Sequence, residues 1–184
     1  KRLVAEFRVE NLRDAMKLSL AGNALDFAHI KEEEFEGVVR ETLAREPDVD
    51  EREKAERLLA GAEKITFICD NAGEVYFDKP LLELLKKAGK KLRLVVREKP
   101  IMNDATLLEA RKAGIDKLAD EIVQYPFYGY QEKDEGLVIA KGQAAFVTTC
   151  EASPEHAVFI LRAKCEPVAE SLGVKKGANV VKAV

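Results

Sequence analysis

Apolar residues recur at helical spacing through the first third of the chain. This pattern predicts helices over 11–20, 32–43 and 51–59. Between them lie charged and polar segments without a strand pattern. Residues 1–62 are therefore predicted to form a helical amino-terminal annex.

From residue 63 the pattern changes to short, continuous apolar runs that alternate with helical segments. Strands are predicted over 65–69, 92–96, 137–140 and 156–161, and helices over 81–87, 106–112 and 166–172. Continuous apolar strands are typical of a sheet covered on both faces, and the strand–helix alternation predicts parallel βαβ units. We therefore predict an α/β core over 63–184, with a polar and aromatic loop at 125–135.

Composition excludes several classes of protein. The 184 residues carry a formal net charge of -3, with Lys and Arg spread along the chain, which argues against a nucleic-acid binder. No apolar run approaches the ~20 residues that cross a bilayer, so no membrane association is expected. The three cysteines give no disulfide framework. Their reduced state would be typical of a cytoplasmic protein, so a cytoplasmic location is expected. The sequence indicates no oligomeric state.

Candidate chemistry lies in two turns that follow predicted strands. The first turn contains Asp70 and Asn71, and the second contains Asn103 and Asp104. Ligands bind at the carboxyl ends of strands in open α/β sheets, where consecutive strands can bring such turns together. Carboxylate and amide oxygens suit Mg²⁺, Mn²⁺ and similar ions. The sequence thus predicts a divalent-metal site made by Asp70, Asn71 and Asp104.

Groups suited to an anion lie beside these turns. Each turn opens a helix, whose free N–H groups favour a phosphate. Lys164 follows a predicted strand and would neutralise charge on a transferring phosphoryl group. Glu74 is a candidate for orienting water, but an acidic residue in a first helical turn is equally ordinary. Asp and Asn after a strand are also common turn formers and helix caps, so the turns have a purely structural interpretation as well.

The chain resembles the damage-control metal-dependent phosphatases, a family long catalogued as a domain of unknown function. The matching stretches occur in the family's order and cover most of the chain: 21–27, 70–74, 99–106, 141–143 and 163–169. The resemblance implies a three-layer αβα sandwich with a mostly parallel, Rossmann-like sheet and a helical amino-terminal annex. It looks most like the shorter archaeal and bacterial members.

The resemblance also implies roles for individual residues. The family's metal ligands match Asp70, Asn71 and Asp104, for Mn²⁺, Co²⁺, Ni²⁺ or Mg²⁺. Its phosphate-contacting and substrate-contacting positions match three further residues, which are Asn103, Lys141 and Lys164. A stretch that lines the family's pocket from the helical part matches Asn23 and Asp26.

This sequence departs from the family's pattern in three places. After Lys141 the family usually has an Asn and a Glu where this chain has Ala145 and Val147. The stretch 122–137 is shorter than the family's substrate loop, and a helical segment common at the start of the shorter members is missing. These departures leave the metal ligands in place and affect the substrate apparatus.

The expected activity is metal-dependent hydrolysis of small phosphorylated metabolites, such as sugar phosphates or damaged phosphometabolites. Asp70, Asn103 and Lys164 are the predicted catalytic residues, and either a water or the Asp70 carboxylate is the attacking group. Two alternatives stay open. One is a non-catalytic metal-binding homologue, and the other is an S-adenosylmethionine-dependent carboxyl methyltransferase, for which the Gly-rich turn is weak.

Overall fold

The computed structural model describes residues 3–25, 32–126 and 136–184. Two short 3₁₀ helices cover Val4–Glu6 and Glu32–Glu34. The α-helices are α1 (Leu12–Asn23), α2 (Phe35–Ala44), α3 (Arg52–Gly61), α4 (Val75–Lys87), α5 (Leu107–Ala113), α6 (Gly142–Ala152) and α7 (Glu166–Leu172). The strands are β1 (Val49–Asp50), β2 (Lys64–Ile68), β3 (Lys91–Arg97), β4 (Glu121–Tyr125), β5 (Leu137–Lys141), β6 (Ala157–Arg162) and β7 (Asn179–Ala183).

The strands form one mostly parallel sheet in the order β1-β7-β6-β5-β2-β3-β4. Strand β7 runs antiparallel to β6, and the short β1 runs parallel to β7. The chain extends the sheet from β2 through β3 to β4, and then returns to the other side of β2 with β5 and β6. The topological switch point therefore lies between β2 and β5, where such sheets bind ligands.

Helices cover both faces of the sheet, which confirms the three-layer αβα fold. Buried residues of α1, α3, α4 and α5 pack with one face, where Phe67 and Ile139 lie. Helices α6 and α7 pack on the other face, against residues such as Phe159 and Val138. Helix α2 lies outside the first layer and packs on α1 in a separate cluster around Val39. The apolar runs of the sequence are thus the inner layer of a doubly covered sheet.

Local signals in the sequence explain where several helices begin and end. The Asn11 side chain accepts a hydrogen bond from the backbone N–H of Asp14 and caps α1. Thr106 and Glu109 form a capping box at the start of α5. Gly114 and Gly173 adopt the left-handed conformation that ends α5 and α7. The helices and strands predicted from periodicity are confirmed within a few residues, except that α4 begins six residues earlier than 81.

Sequence patterns missed five described elements, which are the 3₁₀ helix Val4–Glu6, β1, β4, α6 and β7. The predicted loop at 125–135 is wrong at its start, because Tyr125 ends β4, and most of that stretch lies outside the described residues. Strand β1, from the amino-terminal part, pairs with β7 in the same sheet. The division into 1–62 and 63–184 remains a prediction. Among the described helices, none is long and apolar enough to cross a membrane.

Candidate active site

The candidate site lies where four neighbouring strands end. Asp70 follows β2, the turn with Asn103 and Asp104 follows β3, Gly142 follows β5, and Lys164 follows β6. Strands β6, β5, β2 and β3 are consecutive in the sheet and parallel, so their carboxyl ends meet at one edge. These four segments, three of which contain predicted site residues, therefore converge on the topological switch point.

Backbone hydrogen bonds join the two acidic turns. The N–H of Ala72 donates to the carbonyl oxygen of Asn103 at 2.7 Å, and the N–H of Ala105 donates to that of Asp70 at 2.8 Å. These bonds pair Asn71 with Asp104 as opposed residues of an isolated antiparallel bridge. Residues opposed in this way project to the same side. Backbone hydrogen bonds thus hold the two turns together, as the sequence predicts.

Asp70 is a half-buried carboxylate surrounded by amide donors. Its Oδ2 accepts from Asn23 Nδ2 at 2.8 Å and from Asn71 Nδ2 at 3.2 Å. Burial and the neighbouring charge of Glu74 raise the pKa of Asp70 to about 8, although Lys141 and Lys164 oppose the rise. Without a cation, burial and the charge of Glu74 therefore favour the protonated form of this carboxyl group.

A second group of charges lies beneath Asp70 and is fully buried. The ammonium of Lys141 lies 2.7 Å from Asp78 Oδ1 and 3.2 Å from Glu74 Oε2. Burial raises the pKa of Asp78 despite this partner. Burial disfavours the Lys141 ammonium, but the carboxylates of Asp78 and Glu74 outweigh it and raise its pKa. Counting Asp70, three carboxyl groups share one buried ammonium, so the site has an excess of acidic groups that a cation would offset.

Asp104 is held by an arginine from the end of β3. Arg97 Nε donates to Asp104 Oδ2 at 2.8 Å, and both residues are buried. Burial raises the pKa of Asp104, and the charge of Arg97 opposes that shift. The ion pair fixes the carboxylate beside Asn71 in the bridge that joins the two turns.

The predicted phosphate-binding groups lie at the rim. Asn103 and Lys164 are each partly exposed. The backbone N–H of Lys164 donates to Gln143 Oε1 at 3.2 Å, which ties the start of α7 to the first turn of α6. The charge of Lys164 lowers the pKa of Asp70, so its ammonium lies within electrostatic reach of that carboxylate.

The other predicted substrate-binding residues are placed differently. Asn23, Glu74 and Lys141 are each fully buried, with their polar groups bonded to other parts of the protein. Their contact with substrate stays a prediction, and in this structure they lie beneath the site. Asp26 lies outside the described residues.

Sequence reasoning missed four residues that shape the site, namely Ser19, Asp78, Arg97 and Gly142. Gly142 has a φ of +76°, and a β-carbon built on it would overlap the Asp70 carboxylate. A glycine directly after a strand was the available signal. The other three are polar residues inside apolar patterns, and nothing local distinguishes them from solvent-facing positions.

The donor set suits a hard divalent cation. The described residues contain no group of three or more His, Cys, Asp or Glu side chains placed to hold a metal ion. The predicted ligands are instead two carboxylates and one amide, a set that leaves coordination positions to water and substrate, as Mg²⁺ and Mn²⁺ commonly do. Because Asn71 Nδ2 faces Asp70 and Glu74, its oxygen is turned away from them. The residues present therefore fit such an ion.

Comparison with known proteins identifies relatives over almost the whole chain. Residues 2–180 match the family described as damage-control phosphatase ARMT1-like domain. A damage-control phosphatase of Archaeoglobus fulgidus is 32% identical over 98% of the chain, which covers 68% of that protein. A damage-control phosphatase of Pyrococcus horikoshii is 33% identical over 90% of the chain, which covers 63% of that protein.

A solved structure agrees with these matches. The crystal structure of a DUF89 family protein from Pyrococcus horikoshii has a TM-score of 0.85 and 31% identity to this chain. The match covers 98% of this chain and 70% of that one. The chain thus spans about two thirds of the length of these relatives. The chain belongs to the ARMT1-like damage-control phosphatase family.

Proposed function

We propose that the chain is a divalent-metal-dependent phosphomonoester hydrolase that acts on small phosphorylated metabolites. The observation that carries the proposal is the pair of backbone hydrogen bonds that joins the Asp70–Asn71 turn to the Asn103–Asp104 turn at the switch point of the sheet. The phosphatase names of the relatives agree with this chemistry. The metal dependence rests on the donor set alone.

Asp70, Asn71 and Asp104 are the residues proposed to hold the cation, which is Mn²⁺, Co²⁺, Ni²⁺ or Mg²⁺. When bound, such an ion polarises a phosphoryl oxygen and neutralises developing charge. Asp70 Oδ2 already accepts from Asn23 and Asn71, which leaves Oδ1 to face a ligand. The Asn23 and Asn71 amides hold the carboxylate in place, so the same Oδ1 could serve as a cation ligand or as the attacking group.

The rim residues would hold the phosphoryl group. Lys164 places a positive charge near Asp70, where it would pair with a phosphoryl oxygen. Asn103 lies in the turn bonded to Ala72, so its backbone is held by the same hydrogen bonds that join the turns. Orientation and charge neutralisation are most of what phosphoryl transfer requires.

A second candidate function is a metal-binding homologue without turnover. Ala145, at the position where the family usually has Asn, is fully buried in the apolar cluster under α6. Val147, at the family's Glu position, is 41% exposed and supplies no charge. The polar wall that the family places there is therefore absent from these two positions. This observation favours binding without catalysis, whereas nothing in the described site favours a methyltransferase.

The experiment that separates these functions is phosphate release from a panel of sugar phosphates, with each of the four metals added in turn. The phosphatase proposal expects release that depends on added metal and is abolished by EDTA. Mn²⁺ binding by calorimetry without release from any substrate would favour the second candidate. Release that is unchanged by EDTA would contradict the metal dependence.

A further inference from the structure

Lys141 is saturated by protein acceptors. Its Nζ donates to Asp78 Oδ1 at 2.7 Å, to Glu74 Oε2 at 3.2 Å and to the carbonyl oxygen of Ser19 at 3.2 Å. An ammonium group has three hydrogens, and these three acceptors use them all. Because Lys141 is also fully buried, it has neither a free hydrogen nor an exposed surface to offer a substrate. Lys141 can therefore affect the site only through the residues to which it donates hydrogen bonds.

The residue held nearest the site is Glu74. Its Oε1 accepts from Asn71 Nδ2 at 2.6 Å, and the other hydrogen of that amide is directed at Asp70 Oδ2, 3.2 Å away. Both hydrogens of the Asn71 amide therefore face carboxylates, and its oxygen faces the other way. Rotating the amide by half a turn would place that oxygen against two carboxylates. Glu74 thus sets the orientation of the proposed ligand Asn71.

Asp78 lies one helical turn after Glu74 on α4. Carboxylates at this spacing repel each other, and the Lys141 ammonium between them offsets the repulsion. Ser19 Oγ donates to Asp78 Oδ1 at 2.6 Å, while Asp78 Oδ2 is buried without a hydrogen-bond partner in the described part of the chain. A buried carboxylate with an unused oxygen is costly to stability. Such a group calls for a functional explanation.

We propose that Ser19, Asp78 and Lys141 are positioning residues for the metal site. They anchor the Glu74 carboxylate, and Glu74 holds the Asn71 amide with its oxygen turned away from the two carboxylates, where it would be free to bind a cation. The inference rests on the proposed function, because it assumes that Asn71 is a ligand. It assigns Lys141 to the support of the ligands rather than to the substrate. Supporting residues of this kind typically change metal affinity or activity 10–100-fold.

The test is the affinity for Mn²⁺ alone, measured from the electron paramagnetic resonance signal of the free ion. Glu74→Gln and Asp78→Asn are each expected to weaken Mn²⁺ binding about 10–100-fold. In Asp78→Asn the ammonium of Lys141 keeps Glu74 as its one charged partner, and we expect it to draw that carboxylate away from Asn71 against the hold of Asn23. The double variant is expected to bind no more weakly than the weaker single variant, because both changes act through Asn71.

Leu59→Ala is the control, because Leu59 is fully buried in α3 and belongs to the apolar cluster on that face of the sheet. It is expected to lower stability and leave Mn²⁺ affinity unchanged. If Asp78→Asn does not fold, as judged by circular dichroism, Ser19→Ala replaces it and is expected to weaken binding about 3–10-fold, as for one lost hydrogen bond.

The outcomes separate the two proposals. Wild-type protein that does not bind Mn²⁺ would overturn the metal-dependent function and the inference built on it. Wild-type protein that binds Mn²⁺, with Asp78→Asn or Ser19→Ala binding equally well, would overturn the positioning role alone. Additive losses in the double variant would also overturn it, because they would show that Glu74 and Asp78 act independently.

Discussion

Gly142 lies directly against the carboxylate of Asp70. A β-carbon at position 142 would overlap the Asp70 side chain, and the backbone of Gly142 has a φ of +76° that side chains rarely adopt. The first residue of α6 thus forms one wall of the candidate site. The contact explains in physical terms why a glycine follows Lys141 at the end of β5.

Gly142→Ala is predicted to displace Asp70 and to abolish metal-dependent activity. The left-handed backbone alone costs about 1–2 kcal/mol, and the overlap adds about 1–3 kcal/mol. The free energy of unfolding, measured with urea, checks the stability effect, and Mn²⁺ titration checks the site. Gly89→Ala is the control, because Gly89 has a φ of +79° with no atom near the added carbon. Equal effects of the two substitutions on stability and Mn²⁺ binding would disprove the steric account.

Arg97→Met is predicted to destabilise the protein by about 3–5 kcal/mol, the usual cost of leaving one member of a buried ion pair without its partner. The pKa of Asp104 should rise further, because burial raises it and Arg97 is the charge that opposes the rise. Chemical denaturation measures the loss. Arg93→Met, on the same strand, removes an exposed pair with Glu121 and should cost no more than about 1 kcal/mol. A loss from Arg97→Met as small as that from Arg93→Met would contradict the buried-pair interpretation.

The metal-free protein is predicted to lose stability as pH rises from about 4 to 8. The pKa of Asp70 is about 8 in the folded protein, against a model-peptide value of 3.8. Between these values the folded state binds more protons than the unfolded state, so unfolding becomes easier by up to about 1.4 kcal/mol per pH unit. Thermal unfolding in EDTA across this range checks the slope. Asp70→Asn should make it shallower, with the remainder due to Asp78 and Asp104, whose pKa values burial also raises. An equally steep slope in that variant would rule out Asp70 as a source.

Lys164→Met is predicted to lower kcat/KM for a phosphate ester by about 10²–10³-fold, as for loss of one group that stabilises the transferring phosphoryl charge. Mn²⁺ affinity should be unchanged or tighter, because the lost charge would repel a cation near Asp70. Steady-state kinetics and Mn²⁺ titration give the two readouts. Lys175→Met removes an exposed lysine from the loop before β7 and should have no effect on either. A Lys164→Met enzyme with full activity would exclude Lys164 from catalysis.

Most of the sheet could be predicted because its strands are continuous apolar runs. Strand β2 is buried at four consecutive positions, from Ile65 to Ile68, which is the pattern that a doubly covered sheet produces. Helix α6 was missed because it begins with Gly142 and contains the β-branched run from Val147 to Thr149, all poor helix formers. Its position is fixed by tertiary packing, including the edge-to-face contact of Phe146 with Phe159.

The residues in the outer part of the candidate site could be predicted from the sequence, but the buried residues beneath them could not. Asp70 and Asp104 follow strands, so topology alone indicates that their turns meet. Burial of Lys141 could not be foreseen, because a lysine after a strand looks the same whether it faces solvent or the interior. Its partners, Glu74 and Asp78, lie 67 and 63 residues away in the sequence, and only the tertiary fold brings them together.

The most direct test of the central claim is hydrolysis of p-nitrophenyl phosphate with Mn²⁺, Co²⁺, Ni²⁺ and Mg²⁺ in turn. Wild-type protein should be compared with Asp70→Ala, Asp104→Ala and the control Asp120→Ala, which removes a carboxylate that bonds Leu92 at the other end of β3. We predict turnover that requires a metal, disappears in the first two variants and persists in the third. No turnover with any metal, in folded protein that still binds Mn²⁺, would contradict the phosphatase assignment and leave a metal-binding homologue.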